Sequence, residues 1–293
     1  MLRGLFFAVL LGGFVSMAQA TQPCVQDDLN QPVCVKQAQR VLVLAPHLTE
    51  IVDFVGGLDR VIAVDGSSNF PAAVNSLPKL PNPWVLGVES ILARKPDLVL
   101  VWQSGISADV VMQLRKAGMP VFVSEPKTVA QVATTMQRIA LLLGTQSTAY
   151  PKVDQWLARF EQLSNRFKGR AVVPVFYQVW RQPLMTLGGQ HVVSEVIGLC
   201  GGRNVFSDLT NLAAQVSVEG VLKRNPAVLL SSGSVEDHRA LLKQWAPWPG
   251  LNAVQRSHVY TVPNDLLVRN GPRLIDAAEQ VCDHIEQARR QEP

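Results

Sequence analysis

Val88-Glu89-Ser90-Ile91-Leu92-Ala93-Arg94-Lys95-Pro96-Asp97-Leu98-Val99-Leu100 recurs later in the chain as Val218-Glu219-Gly220-Val221-Leu222-Lys223-Arg224-Asn225-Pro226-Ala227-Val228-Leu229-Leu230, with six of thirteen positions identical. Each copy reads as a short helix, a proline that stops it and a buried strand, and the order is kept. One such unit in each half predicts two similar lobes. A weaker echo places Glu50 six residues before Gly56-Gly57 and Glu195 six residues before Gly201-Gly202; coincidence alone could produce that one.

Outward from the first copy, Arg40–Ala45, Val61–Val64, Leu98–Trp102 and Val121–Val123 read as strands, and Thr49–Val55 and Ala108–Ala117 carry apolar residues at helical spacing. Gly56-Gly57 and Gly118 supply the helix stops. This alternation implies an α/β fold of parallel strands with helices on both faces. From Tyr150 to Phe167 the rhythm changes. Val153, Trp156, Leu157, Phe160, Leu163 and Phe167 recur at steps of three and four without a glycine between them, the pattern of one long amphipathic helix. After Gly169 the run Ala171–Val179 opens a second alternating region. The expected organisation is a leader over 1–20, a hairpin over 21–39, an N-terminal α/β lobe over 40–147, a joining helix over 148–169 and a C-terminal α/β lobe over 170–293. A helical joint is stiff, so little lobe motion is expected.

The chain's 293 residues leave room for two such lobes, and 47% hydrophobic against 17% charged residues excludes intrinsic disorder. The net charge of +4, from 27 basic and 23 acidic residues mixed along the chain, lacks the basic blocks that track phosphates. Nucleic acid is therefore excluded as a partner. Arg3, the apolar run Leu5–Leu11 and Ala18-Gln19-Ala20 have the form of a removed signal peptide. The apolar stretch is broken by Gly12-Gly13 and falls short of the roughly 20 residues of a membrane anchor. Four cysteines suit an oxidising compartment. A hairpin symmetric about Leu29 would set Cys24 opposite Cys34, leaving Cys200 for Cys282. There is no C-x-x-C and no His at ligand spacing from a cysteine, so no metal site is expected.

Catalytic signatures are missing: no G-x-S-x-G, no phosphate-cradling loop, no H-E-x-x-H. The expectation is a protein that is not an enzyme and carries no cofactor. Of five histidines only His47 falls at a strand end, where it reads as a polar residue near a helix start rather than a metal ligand. Trp102 follows one strand, Tyr177 and Trp180 end another, and Phe70 and Trp84 lie in the loop-rich stretch from Gly66 to Gly87. Ligands of open α/β sheets bind beyond the carboxyl ends of strands. Aromatic faces there suit a large, flat, partly apolar ligand, and the alternative for each ring is a place in the core. Asp265 and Arg269 read either as polar ligand contacts or as a surface ion pair. Glu89 and Glu219, equivalent in the two copies, read either as first-turn glutamates or as acidic groups that meet basic groups of a two-fold partner.

Arg40-Val41-Leu42-Val43-Leu44-Ala45-Pro46-His47-Leu48-Thr49-Glu50, the segment from Val88-Glu89 to Leu98-Val99, the long central helix, Cys200-Gly201-Gly202-Arg203-Asn204-Val205-Phe206 and Gln215-Val216-Ser217-Val218-Glu219 together resemble the periplasmic vitamin B12-binding proteins of ABC importers, from about Arg40 to about Ile285. The resemblance implies two Rossmann-like lobes with parallel sheets joined by one backbone helix, the class III periplasmic binding protein fold. It implies capture of cobalamin, the transported ligand, in an interlobe cleft, and delivery to a permease dimer with its ATPase subunits. Membrane contact would be made only through that permease. It further implies a Cys200–Cys282 disulfide, permease docking by Glu89 and Glu219, ligand contacts from Asp265 and Arg269, and cleft aromatics at Trp84 and Trp102, the first one residue out of register. The chain departs from the pattern at Ser67, Met185 and Ala213, where the family places cleft aromatics, and at Val268, where it places an acid; Tyr177 and Trp180 are expected to compensate. The same frame carries ferric-siderophore and haem receptors, so these are the rival cargoes. A zinc or manganese receptor and an exported hydrolase are the more distant rivals. A monomer in the periplasm is expected.

Overall fold

The computed structural model describes residues 22–291; the expected leader over 1–20 lies outside them. The described chain opens with β1 (Cys24–Gln26) and β2 (Pro32–Cys34). It continues through β3 (Val41–Leu44), α1 (Pro46–Phe54), β4 (Val61–Asp65), β5 (Lys79–Leu80), α2 (Val88–Leu92), β6 (Leu98–Trp102), α3 (Ala108–Lys116), β7 (Val121–Ser124) and α4 (Val129–Leu143). The long α5 (Gln146–Phe167) follows. Beyond it come β8 (Val173–Trp180), β9 (Met185–Leu187), α6 (Val192–Leu199), β10 (Gly202–Asn204), β11 (Ala213–Gln215), α7 (Val218–Arg224) and β12 (Val228–Ser232). The last elements are α8 (Val235–Trp245), α9 (Asn252–Gln255), β13 (Val259–Val262), α10 (Asn264–Leu267) and α11 (Leu274–Arg290).

The N-terminal sheet is parallel with order β5-β4-β3-β6-β7. Its strands are apolar on both faces because both are covered. Val41, Val43, Leu98, Leu100 and Phe122 face the helices α1, α4 and α5, while Leu42, Leu44, Val99, Val101 and Val123 face the opposite cluster with Ile91 and Leu114. In the C-terminal sheet, of order β11-β9-β8-β12-β13, β10 also pairs with the start of β8. This sheet is mixed, not wholly parallel as expected. The link from Trp180 to Met185 is far too short for a crossover, so β9 returns antiparallel to β8.

The repeat is structural. Its first copy is α2 leading to β6, beside β3; its second is α7 leading to β12, beside β8. Lys95 and Asn225, equivalent in the copies and each followed by the proline, both take positive φ (48° and 39°) as the helix turns into the strand. Helix α5 begins at Gln146, four residues before its apolar pattern does, because Gly144 in the left-handed conformation ends α4 and lets the chain turn at once. Ala149, Val153, Trp156, Phe160, Leu163 and Phe167 are its buried stripe. That stripe belongs to one continuous apolar core containing α1 and α4 of the first lobe and β8, α6 and α11 of the second. A joint that is itself core is held on both sides by packed side chains.

The two disulfides have the expected partners. Cys24 and Cys34 are cross-strand neighbours in the β1–β2 hairpin, and Cys200 at the end of α6 is bonded to Cys282 of α11. Among the described residues no helix is long and apolar enough to cross a membrane.

Candidate functional site

The carboxyl ends of the two sheets meet. The loop after β4 is shaped by buried Asp65, whose carboxylate accepts from the Ser67 amide (2.9 Å) and from the Ser68 hydroxyl, which also meets Thr49 Oγ1 at 3.0 Å. Asn69 of that loop donates to Asp265 (3.0 Å), just beyond β13. Arg269 donates to Asn69 Oδ1 (2.7 Å) and to Glu50 (3.0 Å), and it pairs with Asp265 at 2.9 Å. Arg273 grips both oxygens of Glu50 (2.9 and 2.6 Å) and lies 4.1 Å over the ring of Phe70. The Glu50 side chain is 1% exposed. Asn270 donates to the Pro126 carbonyl (2.9 Å), and Trp156 of α5 donates to the Pro272 carbonyl (2.7 Å). The stretch 264–273 of the second lobe is thus seated on the strand ends of the first.

A second crossing contact lies elsewhere on the seam. Glu195 of α6 accepts from the amide of Val129, the first residue of α4, at 2.7 Å. Burial pushes this carboxyl above the usual range, and the hydrogen bond from Val129 offsets part of the rise.

Trp102 sits at the end of β6, next to β3, where the strand order of the sheet reverses direction, the usual place for a ligand crevice. Its indole N–H donates to Glu125 (3.1 Å), and Glu125 also accepts from the amide and hydroxyl of Ser104 (2.9 and 2.6 Å). The His47 ring stands edge-on to the indole at 6.0 Å. A Cβ on Gly105 would come within 2.6 Å of the ring, so glycine is required there. His47 is buried, and burial, with the nearby charge of Arg269, pulls its pKa down to about 3. It presents a neutral imidazole that supports the tryptophan.

On the second lobe, Trp180 ends β8 and is 62% exposed, with half-buried Met185 as its cross-strand partner. Tyr177 corrects an expectation: its ring is wholly buried and its hydroxyl donates to Ser232 Oγ at 3.0 Å. Along β8 the residues Val173, Val175 and Tyr177 share the face turned to the core, whereas Trp180 follows an irregularity in the register. Tyr177 therefore presents no face to a ligand. Trp84 is exposed, but it lines an apolar groove of about 760 Å³ on the flank of the first lobe with Leu29, Ile106, Val111 and Met112, and no residue of the second lobe lines that groove. Ser67 is exposed near Arg269, and Ala213 lies exposed on β11, paired with Leu187. Val268 is exposed between the residues of the ionic cluster. Asp265 and Arg269 are both an ion pair and a bridge between lobes, a combination neither reading of them contained. Glu50, Asn69 and Arg273 complete the bridge; the echo around Glu50 was the one signal of it in the sequence. Glu89 and Glu219 are solvent-exposed in the first turns of α2 and α7. The Glu219 carboxyl is held below its ordinary range by hydrogen bonds from its own amide and from Ser217.

Among the described residues no three His, Cys, Asp or Glu side chains converge on a metal-sized space. Near the seam Trp102 and Trp180 are exposed, and hydrogen-bonding groups connect the lobes. Two α/β lobes, one with a parallel sheet and one with a mixed sheet, joined by a core helix and meeting at their strand ends, define a two-lobed solute receptor of the helix-backbone class. The chain belongs to the Periplasmic binding protein family, whose profile matches residues 41–266. It is 32% identical over 255 residues to the Vitamin B12-binding protein of Vibrio cholerae serotype O1, covering 87% of this chain and 91% of that one. To the Vitamin B12-binding protein of Photorhabdus laumondii it is 33% identical, over 84% of this chain and 87% of the other. The crystal structure of the periplasmic vitamin B12-binding protein BtuF of Vibrio cholerae superposes with a TM-score of 0.79 at 32% identity, covering 87% of this chain and 99% of that one. Family and relatives are binding proteins rather than enzymes, which sets the hydrolase reading aside.

Proposed function

We propose that this protein is a monomeric periplasmic receptor that captures cobalamin between its lobes and delivers it to an inner-membrane ABC importer. The observation that carries the reading is the pair of exposed indoles, Trp102 and Trp180, one at a strand end of each lobe. Each supplies a flat apolar face of the kind a corrin ring can cover. Asp265, Arg269, Ser67 and Met185 lie at or near the same strand ends and supply polar and thioether contacts to the ring's periphery. The relatives named for vitamin B12 support cobalamin over an iron chelate. A ferric catecholate calls for a cluster of free cations, and of the two candidates, Arg181 and Arg269, the second is already committed to Glu50 and Asp265. The exposed carboxylates of Glu89 and Glu219, one per lobe on equivalent helices, are the groups that basic residues of a permease dimer meet.

The test is direct. Purified protein is mixed with cyanocobalamin and desalted, and the visible spectrum of the protein fraction is recorded. Co-elution of the corrin absorbance at one equivalent per chain is expected. A colourless fraction, with retention of haem or a ferric siderophore in a parallel trial, would replace this reading with an iron-chelate receptor.

A further inference from the structure

The stapled hairpin β1–β2 precedes residue 41, where the family match begins, and its contacts run toward Trp102. Its turn is self-organised. Asp27 Oδ1 accepts from the amides of Leu29 and Gln31 (both 2.9 Å), and Asn30 takes a left-handed conformation with φ of 56°. The turn then closes the free edge of β7, the last strand of its sheet. Val123 donates its N–H to Asp27 Oδ2 (3.2 Å) and accepts at its carbonyl from the Asp28 amide (3.0 Å). Arg115 of α3 pairs with Asp27, and Arg138 of α4 donates to Asp28 Oδ1 (2.6 Å) and to the Gln26 carbonyl (2.7 Å). The remaining oxygen of Asp28 accepts from the backbone amide of Glu125. Glu125 is the residue whose carboxylate holds the Trp102 indole N–H and Ser104. A connected path therefore runs from the disulfide through Asp28 and Glu125 to the exposed tryptophan.

We propose that the Cys24–Cys34 hairpin is a positioning strap that fixes the indole of Trp102 for ligand stacking, with Asp28 and Glu125 as its positioning residues. The inference rests on the reading of Trp102 as a ligand face. Physically, an exposed indole has several rotamers, and a ligand that needs one of them loses affinity in proportion to the time spent in the others. Anchoring the indole N–H at one end, with Gly105 leaving room for the ring, removes that loss. The anchor is only as firm as the chain that follows β7, which the hairpin holds at the Glu125 amide.

The experiment uses the full mature protein, with Asp28→Ala, Glu125→Ala, Glu125→Gln and the double variant Cys24→Ser/Cys34→Ser. Each is made also in a Trp102→Phe background. Two quantities are read: cyanocobalamin affinity by calorimetry, and the near-UV circular dichroism assigned to Trp102 by difference from Trp102→Phe. Asp28→Ala and Glu125→Ala are expected to weaken binding about tenfold, and the cysteine double variant somewhat less, all with loss of the Trp102 dichroic signal. Glu125→Gln keeps an acceptor for the indole N–H and is expected to restore binding to within about twofold. In the Trp102→Phe background the Asp28→Ala effect should vanish, an outcome that general loosening of the lobe does not produce. An equal Asp28→Ala loss in both backgrounds, or an unchanged dichroic signal in Asp28→Ala, overturns the strap. If the parent protein fails to bind cyanocobalamin, the cobalamin reading falls, while the dichroic arm still decides whether the hairpin sets the indole.

Discussion

Glu50 is where the two lobes are most firmly tied, and its replacement by glutamine has a cost that the geometry bounds. The carboxylate is buried and takes three hydrogen bonds from two guanidinium groups, at 3.0, 2.9 and 2.6 Å. Removing one partner of a buried ion pair costs about 3–5 kcal/mol when the other is stranded. Here the stranding is partial, because Arg269 keeps Asp265 and Asn69, and Arg273 keeps the face of Phe70. The expected loss is therefore about 2–3 kcal/mol. For a chain of this size that is a fall in Tm of about 5 °C, read by scanning calorimetry at pH 7. Glu195→Gln is the internal comparison. Its neutral amide carbonyl still accepts from Val129, and the substitution removes a carboxyl whose charge burial disfavours, so stability should stay within about 1 kcal/mol of the parent. A Glu50→Gln Tm within 1 °C of the parent would refute the claim that this cluster ties the lobes. Equal losses in the two variants would refute the distinction between an ion-paired and a singly hydrogen-bonded crossing.

Trp102→Ala with Trp180→Ala removes two faces worth roughly 2 kcal/mol each by area, and cyanocobalamin titration should show affinity about a thousandfold lower; affinity within tenfold of the parent would count against the cleft. Tyr177→Phe loses one buried hydrogen bond, about 1 kcal/mol of stability by urea titration, and should leave ligand affinity unchanged, whereas a loss of affinity would return Tyr177 to the site. His47, with a folded pKa of about 3, is neutral in the native protein, while the unfolded chain takes up its proton near the ordinary value of 6.5. Its contribution is present above pH 6.5 and is lost as pH falls toward 3, by up to about 1.4 kcal/mol per pH unit. His191, lowered by burial to about 4, adds to the same acid limb. Between pH 7 and pH 5 a His47→Phe variant should therefore lose about 2 kcal/mol less than the parent in urea unfolding; parallel losses would show that His47 is not held neutral. Glu89→Ala with Glu219→Ala should bind cyanocobalamin as the parent does yet fail to support uptake when it is the cell's sole receptor, and normal uptake would remove these glutamates from the docking surface.

The parts of this architecture that the sequence announced share a local cause. A proline-stopped helix followed by a strand repeats because each half builds the same layer, and the hairpin register followed from two cysteines equidistant from one turn. Tyr177 was misjudged because β8 is apolar on both faces, so no alternation marks which side meets the helices. The groups that bridge the lobes were harder still. Glu50 and Arg273 are 223 residues apart in sequence, and a pairing at that distance leaves no periodic trace. The faint echo of Glu50 by Glu195 is nevertheless explained by the geometry. Each glutamate lies on the first helix of its own lobe, six residues before a glycine of positive φ, Gly56 or Gly201, at the helix end. Each reaches across to where the other lobe's last helix begins: Glu50 to Arg269 and Arg273 ahead of α11, Glu195 to the first amide of α4. A carboxylate is favoured at such a helix start because of the unpaired amides there, and α11 adds two guanidinium groups to the same arrangement. The lobes are thus tied at two separate points as well as through α5, and a rotation that separates them at both points has to break an ion-paired cluster and a hydrogen bond.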